Sequence, residues 1–138
     1  MDLSRRADMP ELMDAADLDI TEYNACLADL AAVNRLTLTH RATLGFLDRA
    51  TRDWPAGTDV AVLDLAFGHG DLLRAIAGWA ARRGLHANLS GVDLNPRSAV
   101  AARAATRGGM AIAYHTGDVF SFVPAVAPDF IVTSQFTH

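Results

Sequence analysis

Apolar and polar positions follow two regimes along this chain. Up to about residue 58 the apolar positions recur every three or four residues. Asp19 with Glu22 three residues on, followed by Ile20, Tyr23, Leu27, Leu30 and Val33 at helical spacing, predicts one amphipathic helix over 20–34. Leu44, Leu47 and Ala50, after the polar Thr39-His40-Arg41, predict a second helix that stops before the turn cluster Trp54-Pro55-Ala56-Gly57. Residues 10–17 add a short helix. On this reading Cys26 lies on the apolar face as a small core residue, and His40 is a solvated helix-start residue.

From residue 59 the period changes. Val60 to Ala66 is the short apolar run of a strand buried on both faces, and Gly68-His69-Gly70 follows it. A helix is expected over 71–83, with Leu72, Ile76 and Ala80 on one face and Gly84 as its stop. Ala87 to Val92 reads as a second strand. Asn95-Pro96 opens a helix that carries Val100 and Ala104 towards Gly108-Gly109, since Asn accepts from exposed N–H groups and Pro suits the first helical position. Met110 to Tyr114 and Phe130 to Thr133 are the third and fourth strands. Short apolar strands alternating with helices predict an α/β fold: a Rossmann-like parallel sheet with right-handed crossovers, flanked by helices. The expected division is a helical cap over 1–58 and a sheet-bearing half-domain over 59–138.

Composition adds constraints. With 138 residues, 51% of them apolar and 20% charged, the chain is one domain of ordinary size and not a disordered one. No apolar run approaches a membrane span and no secretion signal opens the chain, so a cytoplasmic protein without membrane contact is expected. A single cysteine excludes an internal disulfide, and no Cys/His spacing suits zinc; no metal is expected. All 12 basic residues are Arg, a bias of GC-rich bacterial genomes. Residues 1–59 carry 11 acids and 6 Arg, and residues 60–138 carry 5 acids and 6 Arg. The net charge of −4 therefore sits in the helical third, and nucleic acid is not an expected partner.

Ligands of such sheets bind beyond the C-terminal ends of the strands. Of the five acids in the second segment, Asp64, Asp71, Asp93 and Asp118 fall at that edge, and only Asp129 lies at a strand's start. Gly68-His69-Gly70 could open a dinucleotide fingerprint, but Leu73 stands where its third glycine belongs. Asp64 and Asp71 would repel a pyrophosphate and favour a cation. Asp93, 25 positions after Gly68, suits a ribose, because a carboxylate can accept from both hydroxyls.

Val62-Leu63-Asp64-Leu65-Ala66-Phe67-Gly68-His69-Gly70-Asp71 resembles the first motif of class I S-adenosylmethionine-dependent methyltransferases, an acid followed by G-x-G-x-G. Gly91-Val92-Asp93-Leu94-Asn95-Pro96 and Thr116-Gly117-Asp118-Val119 resemble the next two motifs, in order. The resemblance implies S-adenosylmethionine as cofactor and a small-molecule methyl acceptor, for which the apolar helical cap suggests an aromatic, quinone-like or polyketide-like compound. It implies that Gly68 and Gly70 admit the methionine portion, Asp64 orients its ammonium, and Asp93 binds the ribose. Leu94 would pack on adenine, Asp118 and the Val119 N–H would read its edge, and Ser134 would line the same site. Ala66 and Phe67 depart from the family pattern at its first glycine and at a usually small position, so the Phe67 ring either packs on the ligand or narrows the pocket. His138, His40 and His69 are the candidate general bases, needed only for a phenol or an enolisable carbon. Two rivals stand beside this reading: a nicotinamide-dependent oxidoreductase, and a non-catalytic nucleoside-binding fragment. The family's sheet resembles seven strands and four are legible here, so the chain is expected to be truncated after the fourth strand, and to self-associate or pair with a missing C-terminal segment.

Overall fold

The structure is a computed structural model that describes residues 19–36 and 40–134. The expected helix over 10–17 and the candidate base His138 lie outside the described residues, as do the side chains of Leu30 and Val33. The elements run α1 (Ile20–Leu36), α2 (His40–Ala50), β1 (Asp59–Leu65), α3 (Asp71–Arg83), β2 (His86–Asp93), α4 (Pro96–Ala105), β3 (Ile112–Thr116) and β4 (Phe130–Thr133).

All pairings are parallel, and the strand order is β3-β2-β1-β4. The chain winds outward from β1 through β2 to β3, then returns to the other side of β1. That reversal puts a topological switch point between β1 and β4, where open α/β sheets bind ligands.

Register explains which side chains are covered. Val62, Leu89, Ile112 and Phe130 form one cross-strand row, and Asp64, Gly91, Tyr114 and Val132 form the next row on the same face. This face carries α3 and α4, and the main core joins Val60, Val62, Leu89 and Val132 to Leu72, Leu73, Ile76, Ala99 and Ala102. Asp64 is therefore a carboxylate on the helix-covered face. On the opposite face Leu63 is 4% exposed while its neighbour in β4, Ile131, is 61% exposed.

α1 and α2 pack on the helix layer. Trp79 Nε1 and Arg83 Nη1 of α3 donate to Asp48 Oδ1 of α2 at 3.3 and 2.6 Å, and Arg83 Nη2 donates to the Thr51 carbonyl at 2.8 Å. The Arg83 and Trp79 bonds hold the Asp48 carboxyl below its ordinary range. A smaller cluster of Tyr23, Leu27 and Ala101 joins α1 to α4, with Tyr23 Oη 2.7 Å from Ser98 Oγ.

Several boundaries differ from the sequence expectation. The third strand is 112–116 rather than 110–114, because Gly109 at φ 97° and a turn bond from the Met110 N–H to the Arg107 carbonyl delay its start. β1 ends at Leu65, because Ala66 turns to φ 58°. Cys26 is exposed, not a core residue. Tyr23 and Leu27 centre a narrow buried stripe, and Cys26 lies about 80° round the helix from it at 3.6 residues per turn. Ala50 is also exposed; Thr51, fully buried and donating to the Leu47 carbonyl at 2.8 Å, closes that end of α2 instead.

Candidate functional site

The loop from Ala66 to Gly70 joins β1 to α3 and is clamped to the end of β2. The Ala66 N–H donates to the Val92 carbonyl at 2.8 Å, and the Gly68 N–H donates to Asp93 Oδ2 at 2.9 Å. Gly68 has φ 55° and nothing within 4 Å of where its Cβ would stand, so the backbone there is open to a ligand. Gly70 is required for a different reason. It caps α3 at φ 75°, and a Cβ would meet the Tyr114 ring and hydroxyl at 2.8 Å.

Tyr114 forms the floor beneath this loop. Its ring lies 5.0 Å from the Phe67 ring, and its hydroxyl is 2.8 Å from Thr106 Oγ1. Phe67 is 4% exposed and turns inward, over Gly91, where a Cβ would stand 2.6 Å from Phe67 Cδ1. The ring is packed into the main core. The bulk of Phe67 is accommodated by the missing side chain at Gly91. Sequence reasoning overlooked Tyr114 as a support, although a glycine inside a buried strand is the available signal that another group approaches closely.

Three carboxylates gather behind the loop. Asp64 is 2% exposed, and its Oδ1 is buried without a hydrogen-bond partner. Burial raises its carboxyl well above the ordinary carboxylate value, and Asp71 and Asp93 push it further in the same direction. Asp71, the first residue of α3, has Oδ2 3.0 Å from His40 Nε2, with both side chains mostly covered. His40 is thus a contact between α2 and α3, not a solvated helix start. Asp93 accepts from the Gly68 N–H with Oδ2 and from the Asn95 N–H with Oδ1 at 2.9 Å, and each oxygen keeps a second lone pair for a ligand hydroxyl.

The remaining expected positions line the same edge. Leu94 follows Asp93 and is 74% exposed. Asp118, two residues beyond β3, is exposed; its Oδ1 accepts from the Phe120 N–H at 2.9 Å, and Val119 beside it is half-buried. Ser134 is half-buried just past β4. Asp129 sits at the opposite edge, where its Oδ2 accepts from the Ala61 N–H at 2.8 Å and holds β4 to β1. His69 is held by Arg74, which donates to its carbonyl at 2.7 Å and lies 2.9 Å from its Nδ1. A guanidinium only donates, so Nδ1 is the acceptor in this contact. Among the described residues no group of three or more His, Cys, Asp or Glu side chains is placed to hold a metal ion.

No protein-family model and no curated protein matches the sequence. Solved structures are similar in fold. The plantazolicin methyltransferase BpumL, solved with a pentazolic desmethylPZN analogue and SAH, aligns with TM-score 0.53 at 20% identity, over 69% of this chain and 33% of its own. A putative methyltransferase solved in complex with the Haloferax volcanii Trm112 methyltransferase activator aligns with TM-score 0.51 at 25% identity, over 81% and 46%. The chain thus spans between a third and a half of the length of these proteins. The Rossmann-like sheet expected from the motifs is the sheet observed, and it is shared with methyltransferases.

Proposed function

We propose that the chain binds S-adenosylmethionine at the C-terminal ends of β1 and β2 and transfers its methyl group to a small-molecule acceptor. The observation that carries this reading is the buried Asp64, whose Oδ1 lacks a partner behind a glycine loop open to ligand. An unpartnered buried acid of this kind gains a partner in an ammonium group, and Asp71 at the head of α3 opposes a pyrophosphate there, which disfavours a nicotinamide dinucleotide.

Residue roles follow from this placement. Asp64 takes the ammonium of the methionine portion, and Gly68 and Gly70, with the Ala66 and Phe67 backbone, let that portion approach. Asp93 accepts from the ribose hydroxyls. Leu94 offers an apolar face to adenine, the Asp118 carboxylate and Val119 N–H meet its edge, and Ser134 borders the site from β4. When bound, the sulfonium cofactor supplies an electrophilic methyl group, so the protein's task is mainly to align the acceptor, a contribution of about 7–11 kcal/mol in favourable cases. The apolar cap favours an aromatic, quinone-like or polyketide-like acceptor. For a phenol or an enolisable carbon, His40 is the candidate base. Its Nε2 lies 3.0 Å from Asp71 Oδ2, which fixes the ring between α2 and α3.

Titration with S-adenosylhomocysteine and, separately, with NADH tests the reading. Micromolar binding of the homocysteine nucleoside without NADH binding is expected; the reverse outcome ends it. Binding of the nucleoside without turnover of any acceptor favours the second reading, a nucleoside-binding module.

A further inference from the structure

We infer that Asp64 is neutral before ligand arrives and that binding the ammonium of the ligand's amino-acid end expels its proton, making Asp64 the residue that selects for an ammonium-bearing tail. The inference rests on the S-adenosylmethionine reading above and goes beyond it. Asp64 is enclosed on the helix-covered face between Gly91 and Val132, 2% exposed, and Oδ1 has no donor. An ionised carboxylate in that position lacks the water and the hydrogen bonds that stabilise its charge.

The neighbouring elements reinforce this. Asp71 at the head of α3 and Asp93 at the end of β2 are the charged groups that act on Asp64, and both are acidic. α2 brings His40, but its Nε2 is directed to Asp71. β4 brings Val132 and no titratable side chain, and Asp118 beyond β3 is exposed. Among the described residues no cation pairs with Asp64.

Inserting an ammonium group changes the balance. The carboxylic acid loses its proton to solvent, and the resulting carboxylate pairs with the ammonium, so one proton is released for each ligand bound. A tail without positive charge gives Asp64 nothing to ionise against. Specificity between tails then reflects the cost of leaving a buried group unpaired.

Calorimetric titration with S-adenosylhomocysteine, in two buffers of different ionisation enthalpy, measures this release. Close to one proton per ligand is expected over the pH range in which free Asp64 is neutral, with affinity rising up to tenfold per pH unit there. Asp64→Asn should bind more weakly, with no proton release and a flat pH profile. 5′-Methylthioadenosine, which lacks the amino-acid tail, should bind the wild-type protein without proton release. The carboxyl ¹³C resonance of Asp64, followed by NMR, reads the same event without a variant: protonated in the free protein, ionised in the complex. Binding of S-adenosylhomocysteine without proton release overturns the inference and leaves the function standing. A proton release retained in Asp64→Asn assigns it to the His40–Asp71 pair and overturns it also. No binding at any pH removes both.

Discussion

Ala66 is the only non-glycine at positive φ among the described residues, at φ 58°. The left-handed conformation costs an L-residue about 1–2 kcal/mol, and part of that is recovered because alanine has fewer unfolded conformations than glycine. Ala66→Gly should therefore raise stability by about 0.5–1 kcal/mol, read as a small increase in the urea midpoint at unchanged slope. No gain, or a loss, would show that the turn is not strained. Asp64 presents the opposite case, a residue whose chemistry opposes folding. Its folded-state pKa is raised, so the folded protein holds a proton that the unfolded chain has released. Stability is then full below the ordinary carboxylate pKa, falls as pH rises from there through the raised folded value, and stays low above it. Asp64→Asn should melt above wild type at pH 7.5, with the difference vanishing near pH 3.5, in thermal scans across that range. A lower melting temperature for the variant at pH 7.5 contradicts a buried, unpaired carboxyl.

Between elements, the contacts that shape the site are few and specific. Tyr114 of β3 supports the β1–α3 loop, and His40 of α2 meets Asp71 of α3. Gly70→Ala places a methyl against the Tyr114 ring at an unfavourable φ, and should cost about 2–4 kcal/mol in denaturant unfolding while weakening nucleoside binding. A neutral effect there would mean that the loop does not rest on Tyr114. His40→Ala removes one partner of a mostly covered pair and should cost about 1–3 kcal/mol, with the main loss in the seating of α2 against α3. Protection of α2 amides in hydrogen exchange should drop more than that of β1 and β2; an equal drop throughout would sink the local assignment. Sequence periodicity made α2 and α3 visible, because Leu47, Leu72 and Ile76 recur at helical spacing and are all buried. It could not make the His40–Asp71 contact visible. The two residues are separated by a strand and a turn cluster, and only the packing of α2 on α3 brings them together. The inward turn of Phe67 was hidden for a similar reason, since it depends on Gly91 in the adjacent strand.

For the whole molecule, the parallel sheet of alternating strands and helices was legible because each apolar run is short and bounded by glycine, asparagine or proline, whereas the order of the strands came only from their pairing. The carboxylates at the strand ends were legible as a set for the same reason. What pattern alone left open was the state of the sheet's second face. There Ile131 is 61% exposed, and the connection from β3 to β4 carries Phe120 at 90% and Val123 at 84% exposed. Among the described residues β4 pairs only with β1, and no described strand covers its outer edge beside this apolar surface. An unprotected edge next to exposed apolar side chains favours pairing with another chain, and a lysine there opposes it by desolvation and repulsion. The protein is therefore expected to associate with itself as concentration rises, and Ile131→Lys combined with Val123→Glu should shift it towards monomer. Because both side chains are already in solvent, the thermal stability of the monomer should change by no more than about 0.5 kcal/mol. Light scattering coupled to size exclusion, over a hundredfold range of concentration, decides the matter. A wild-type protein that stays monomeric throughout refutes association by this face, and one that associates equally with both substitutions shows that another surface is responsible.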